Sequence, residues 1–532
     1  MFQQKMVDVH DQSMIPSPQV PRSAFKLPQA HKTTFDGGQL VPIYIQECLP
    51  GDSFSFNGTL FARLSTPLFP IMDNMVMTSF FFFVPCRLVW TNFVKMMGQQ
   101  DNPGDSINYI VPQQVSPVGG WAVGSLQDHF GLPTVGQVGA GNTISVNAMP
   151  LRAYNLIYNE WFRDENLQNS VVVDKGDGPD SAANYVMLSR GKRRDYFTSC
   201  LPSTQKGTAV SLPLGSTAPV IRTNNAPAWT LTIGGGNAAA TTPAALSATA
   251  TANISNGVNN LAFNPAGGLV ADLAGATAAT INSIRQAFQV QKFLERDMRS
   301  GTRYTEKIEG HFHVRSPDAR LQRPEYIGGG QQMITVNPVA QTSATGIGVS
   351  QTPLGNLAGM ATSLGRHSWR YSCVEHGYII GMVSVQAQLS YQQGLRKLWS
   401  RSTQYDFYWP VFQALGEQAV LNKELYADGS ANDNAVFGYN ERWAEYRYAP
   451  SMITGLFKST SAGTIDAWHL AQKFTSLPTL NSTFITDSPP IARVVAVGAA
   501  ANGQQFIFDS HFDVLAVRPL PMFSVPGMVD HF

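Results

Sequence analysis

The sequence predicts a mainly β protein built as a two-layer sandwich, with long connections and a few helices. Three observations carry this. Residues 75–90 (MVMTSFFFFVPCRLVW) hold four consecutive phenylalanines, Phe80 to Phe83, then Val84 and Pro85. A run that is apolar at odd and even positions has no wet face, and its β-favouring content argues for a strand covered on both sides. It is too short and interrupted for a membrane span, which needs about 20 apolar residues. Gly (46) and Pro (33) are plentiful, which suits sheet joined by long turns. Charged residues make up only 14 %, against roughly 25 % in average domains. A surface so poor in charge is a solubility risk unless it meets copies of itself or other partners.

By length alone, 532 residues allow two to four domains, though β domains with long insertions exceed the usual size. The net charge of +1 argues against reliance on a strongly basic tail. Cys48, Cys86, Cys200 and Cys373 are widely scattered and form no C-x-x-C pair, so reduced, mostly buried thiols in a cytoplasmic assembly are expected. The N-terminus lacks the apolar stretch of a secretory signal, and no segment qualifies as transmembrane.

Residues 1–34 lack periodicity, and Pro16, Pro18, Pro21 and Pro28 deny them a helix or a central strand. They read as an extended arm along a neighbour or along the chain's own core, or else as a tail without fixed structure. Strands are expected at 40–45 and 53–64, around the turn Pro50-Gly51-Asp52, and then at the phenylalanine run. A Gly- and Pro-rich loop region spans about 102–148. A helix follows at 150–162, with Pro150 at its first position and Leu151, Tyr154, Ile157, Tyr158, Trp161 and Phe162 on one face.

Residues 201–284 break with everything around them. Lys206, Arg222 and Asp272 are their sole charged residues, and Ala, Gly, Thr, Ser and Asn dominate. A flexible linker is one reading. The apolar residues Trp229, Leu231, Ile233, Leu261, Phe263, Leu269 and Val270 favour an inserted, outward-facing subdomain with a small core of its own. A helix is expected at 281–299, with Glu295 and Arg299 as an i,i+4 pair and Gly301 as its stop. Strands are expected at 307–314, 333–336, 378–389 and 506–517, with a short helix at 409–421. The mixed aromatic and ionic segment 441–448 suits contacts rather than free surface, and the tail 519–532 reads as extended.

No phosphate-cradling P-loop is present, and Gly328-Gly329-Gly330 opens no helix and reads as a loop. No G-x-S-x-G elbow or H-E-x-x-H occurs. His311 and His313 would share one side of a strand, as His511 and Asp513 would, but neither pair has a third ligand nearby, so ordinary strand residues are expected. Asp174, Asp177 and Asp180 could line a calcium loop but miss the EF-hand pattern, so a solvated turn is expected. No catalytic residue, cofactor or metal is assigned. The one dense basic run is Arg190, Lys192, Arg193 and Arg194, followed by Tyr196 and Phe197. Basic charge beside aromatics suits phosphate contact with base stacking. Such a run also suits a solvated or intersubunit patch. These four residues, with Lys5, Arg22, Lys26 and Lys32 of the arm, are the candidate nucleic-acid contacts.

Long runs of the chain carry a family resemblance. FDGGQLVPIY (35–44), LPGDSF (49–54), FARLSTPLFPIMDN (61–74), PLRAYNLIYNEWFRDENLQ (150–168) and SPDARLQRPEYIGGG (316–330) closely resemble the major capsid proteins of gokushoviruses, small single-stranded-DNA bacteriophages of the Microviridae. The match continues through EHGYIIGMVSVQAQLSYQQG (375–394), YDFYWP (405–410), LGEQAVLNKE (415–424), FGYNERWAEYRY (437–448), WHLAQ (468–472) and FSVPG (523–527). The resemblance implies an eight-stranded antiparallel jelly roll (a viral β-sandwich) with long loop insertions and a few helices. It implies self-assembly into a T=1 icosahedral shell of about sixty copies, in the virion, assembled in the host bacterial cytoplasm. It further implies a circular single-stranded DNA genome as partner, a scaffolding protein, a DNA-pilot minor protein and a small basic DNA-packaging protein. Residues 201–284 fit the family's insertion at the threefold protrusion and could meet a host surface receptor. On this reading residues 35–532 form one jelly-roll domain. The alternative is a β-sandwich carbohydrate-binding module or hydrolase, which would need a carboxylate pair or metal site in one concave pocket.

Overall fold

The structure is a computed structural model. It describes residues 20–208, 281–301, 303–313, 322–343, 354–497 and 503–523, with short segments between 210 and 271. Backbone proximity divides the chain into two compact units, Gln205–His313 and the remainder.

The larger unit is organised by nine strands: β1 (Ser23–Lys26), β2 (Gln29–Phe35), β3 (Val41–Cys48), β4 (Ser53–Leu64), β5 (Met75–Pro85), β6 (Glu325–Ala340), β7 (Leu357–Ser372), β8 (Gly377–Ala387) and β9 (Phe506–Arg518). All pair antiparallel in the order β1-β9-β4-β7-β6-β5-β8-β3, with β2 also on β9. The sheet curls into two layers because β6 belongs to both. Its first half pairs with β5 and its second half with β7. The expected antiparallel β-sandwich is therefore present, with the end of the N-terminal arm contributing β1 and β2 to its edge.

The phenylalanine run is covered on both faces. Phe81 and Phe83 point into the core between the layers, among Phe56, Trp369 and Phe512. Phe82 and Val84 point the other way, onto helix α1 (Met149–Ile157) and Trp90. β8 beside it is buried at every position. Gly377 and Gly381 of β8 make this possible, since a Cβ at either would meet the Phe83 or Phe81 ring within about 2.6 Å. Phe56 stacks on Trp369 at 4.9 Å and packs on Phe81 at 4.8 Å. Each fully buried ring contributes about 1.5–3 kcal/mol. Helix α1 begins with Pro150 in its first turn, and its last turn widens into a π-turn at Tyr158–Phe162. The four cysteines are buried and free.

Several expectations are corrected. The strand expected at 307–314 is corrected over its described part, 307–313: α3 (Tyr304–Phe312) follows α2 (Ile281–Ser300) after Gly301 at φ +100. Asp297 of α2 accepts Lys307 Nζ at 2.9 Å and bonds His311 Nε2 at 2.8 Å, a pair one helical turn apart on α3. Gly328-Gly329-Gly330 is not a loop but part of β6, paired with Phe81, Phe80 and Ser79 beside a register shift. Glycine is needed there, because Cβ atoms at 328 and 330 would strike Trp369 and His367. Residues 409–421 are not a helix. A single 3-10 turn, Pro410–Phe412, yields at Gly416 (φ +75) to a strand, Glu417–Leu421. β7 is a sixteen-residue strand that the sequence did not announce.

In the smaller unit Trp229–Ile233 pairs with Gly236–Ala239 and with Leu261–Phe263, and Leu269–Ala271 pairs with Val220–Arg222. The rest of the stretch 209–280, residues 1–19 including Lys5, and residues 524–532, for all of which expectations were given above, lie outside the described residues.

Candidate functional site

The basic run emerges from the layer beyond β5 and splits in two. Arg190 lies 4.8 Å over the Phe80 ring. Lys192 lies 4.4 Å over Phe484 and donates to Gln472 Oε1 at 2.8 Å. Burial lowers both cations, Lys192 to about 8. Asp487 sits among them with its carboxyl raised to about 6, again chiefly by burial. Arg193 and Arg194 are exposed. Arg194 pairs with Asp164 at 2.7 Å, whereas Arg193 carries no ion pair among the described residues. Two of the four candidate contacts are thus turned into the fold.

Among the arm residues, Arg22 donates to the Gly51 carbonyl at 2.6 Å. Lys26 on β1 and Lys32 on β2 are exposed, and Lys32 pairs with Asp509 at 3.3 Å. They lie on the same face of the sheet as His511 and Asp513. His311 and His313 do not share a face, since His313 is the left-handed cap of α3. Among the described residues no group of three or more His, Cys, Asp or Glu could hold a metal.

The three aspartates of the suggested calcium loop turn to separate partners. Asp174 accepts the Gly176 amide, and Asp177 accepts Trp90 Nε1 and Asn92 Nδ2. Asp180 corrects the solvated-turn reading. It is buried, bidentate with Arg152 at 2.5 and 2.8 Å, and bonded by the Tyr185 hydroxyl. Arg152 also donates to the Val89 and Gly176 carbonyls, so this ion pair ties α1 to the loops below it.

One concave pocket of about 630 Å³ is lined by Tyr196, Tyr391, Arg401, Glu424, Glu445 and Tyr448, among others. Its two carboxylates are occupied. Glu424 accepts from Tyr196, Lys397 and the Leu421 amide, and Glu445 accepts from Gln418 and Arg401. Trp399 (72 % exposed) and Met452 belong to the pocket's lining, and the same stretch of chain, residues 398–456, also exposes Tyr405, Trp409 and Val411 (79 %). This is an apolar belt of the kind that mediates contacts between proteins rather than chemistry.

A curled β-sandwich with long insertions and an exposed apolar belt fits a structural, assembling protein. The comparisons agree. Residues 13–528 match the family described as "Capsid protein (F protein)", and the chain belongs to that family. It is 46 % identical over 98 % of both chains to capsid protein VP1 of Bdellovibrio phage phiMH2K. It is 41 % identical, over 97 % of both, to VP1 of Chlamydia phage 1, and 34 % identical, over 98 % of both, to VP1 of Spiroplasma virus 4. The chain is a major capsid protein of the gokushovirus type. It is a non-enzymatic component of the virion that assembles into a multimeric shell. Among the described residues no helix is long and apolar enough to cross a membrane.

Proposed function

We propose that about sixty copies of this chain close a T=1 icosahedral shell around circular single-stranded DNA. The observation that carries the shell reading is the exposed belt at 398–456. A lone soluble monomer rarely shows so many large apolar side chains together, and burying them between copies contributes about 25 cal/mol per Å² before association costs. A scaffolding protein, a DNA-pilot protein and a small basic packaging protein complete the proposed assembly, in the host cytoplasm. Co-expressed with the scaffolding partner, the chain should yield uniform spherical particles in negative-stain microscopy. Trp399→Glu with Val411→Asp should leave a folded protein sedimenting as small species. Persistent monomers from the unsubstituted chain would refute the reading.

A second proposal assigns 201–284 to an inserted protrusion that attaches to a host receptor. Its support is compositional, three charged residues in the whole span. Deleting it should preserve particles and abolish adsorption, and undiminished infectivity would reject it. The exposed pair Arg193 and Arg194, with arm residues Lys5, Arg22, Lys26 and Lys32, remains a proposed genome contact. Charge reversal at 193 and 194 should lower packaged DNA without blocking empty shells.

A further inference from the structure

The two layers of the sandwich differ in what covers them. The layer containing β5 and β8 is roofed by α1 and Trp90. The layer containing β1, β2, β9, β4 and β7 has an outer face on which Phe61, Leu364 (71 % exposed), Ile507 and Leu515 stand in solvent. Strand alternation puts every second residue there. Register aligns them in rows across the strands: Lys26, Leu515, Ser55, Arg370, then Ala30, His511, Thr59, Arg366. The next rows are Lys32, Asp509, Phe61, Leu364 and Thr34, Ile507, Arg63, Thr362.

We propose that this face is a single-stranded DNA contact surface, gripped by Arg63, Arg366 and Arg370, with Phe61 as its stacking platform. The proposal rests on the reading that the shell encloses single-stranded DNA. Among the described residues, Lys26, Lys32, Arg63, Arg366 and Arg370 face outward there against Asp509 and Asp513 alone, in a chain whose net charge is +1. Lys32 is matched by Asp509. The three arginines are exposed and make no ion pair or hydrogen bond among the described residues. Arg370 and Arg366 are four residues apart on β7, and Arg63 lies opposite Thr362, four residues further. At about 3.3 Å per residue this is a line of guanidinium groups roughly 13 Å apart. Phe61, opposite Leu364, falls midway between Arg366 and Arg63. Regular cations beside an exposed ring suit a phosphate backbone with bases free to stack. A duplex is disfavoured, since among the described residues the face is strand alone, with no helix set on it to enter a groove.

The test uses the purified full-length chain and a fluorescently labelled thirty-base oligothymidylate, with affinity measured across a salt series. Arg63→Gln, Arg366→Gln and Arg370→Gln together should reduce the slope of log K against log salt by about 2, at about 0.7 per phosphate contact. Restoring charge as lysine at the three positions should restore the slope. Phe61→Ser should cost about tenfold in affinity with the slope kept. An unaltered slope in the triple variant, or no measurable binding by the unsubstituted chain, overturns the proposal. Equal competition by poly-glutamate does so too, by assigning the face to an acidic protein. Shell closure is read separately by sedimentation. A chain that closes shells with an unaltered slope sinks this face alone. One that binds DNA through these arginines yet never closes a shell sinks the enclosure reading alone.

Discussion

In the run 190–194, Arg190 and Lys192 pack over phenylalanine rings beside a buried carboxylate, while on the solvent face of β4 and β7 three arginines stand without a partner among the described residues. The first group is contiguous in sequence and the second is spread over three hundred residues. Charge close together along the chain can be consumed by local packing. Charge placed at alternate positions of different strands is gathered by register onto one face. Availability of a cation, not its local density, decides whether it can meet a phosphate, because a desolvated and partnered cation has little left to offer an outside anion.

The sharpest way to break this contrast is to treat an inward cation as though it were outward. Arg152→Met strands Asp180 as an uncompensated buried charge and should cost about 3–5 kcal/mol in denaturant unfolding. A loss below 1 kcal/mol would show that the pair is solvated. The aromatic counterpart compares Phe81, fully buried between the layers, with Phe61 on the bare face. Phe81→Ala should cost about 3–5 kcal/mol by cavity formation, whereas Phe61→Ala should stay within about 1 kcal/mol.

Asp487 supplies a pH test of burial around the basic run. Its carboxyl is raised to about 6, against an unfolded value near 4. Between those values the folded chain holds a proton that the unfolded chain has released. Stability from this group therefore falls as pH rises from about 4 to 6, by at most roughly 3 kcal/mol. Melting temperatures of the unsubstituted chain and of Asp487→Asn, taken between pH 3.5 and 7, should diverge across that window, with the variant flatter. Parallel curves would place the carboxyl in water. The smallest effect is expected outside. Arg366→Gln should change stability by less than about 0.5 kcal/mol, and a larger loss would mean that the arginine is partnered after all.

The contrast also explains what could be read from the residues alone. β5 announced itself because burial on both faces leaves an unbroken apolar run, and β4 because its inward positions Phe54, Phe56, Leu60 and Leu64 alternate cleanly. β7 was silent. Its inward positions are Ala361, Ser363, Gly365, His367 and Trp369, a mix of small, polar and aromatic residues: Gly328 and Gly330 of β6 leave the room that Trp369 and His367 occupy, and a Cβ at 365 would strike Gln332. No period of two survives in such a strand. Two of its outward residues, Arg366 and Arg370, belong to the face proposed to meet DNA, so they were as hidden as the strand. The false strand at 307–314 has a related cause. Its apolar content is low, and only Asp297, on the preceding helix, shows that Lys307 and His311 share a helical face.

The measurement that bears most directly on the account is a particle reconstruction of DNA-filled and empty shells. The account predicts that the β4–β7–β9 face lines the interior, with density against Arg63, Arg366 and Arg370 in filled particles that is missing from empty ones. That face turned to the exterior, or sealed under a neighbouring copy, would contradict it.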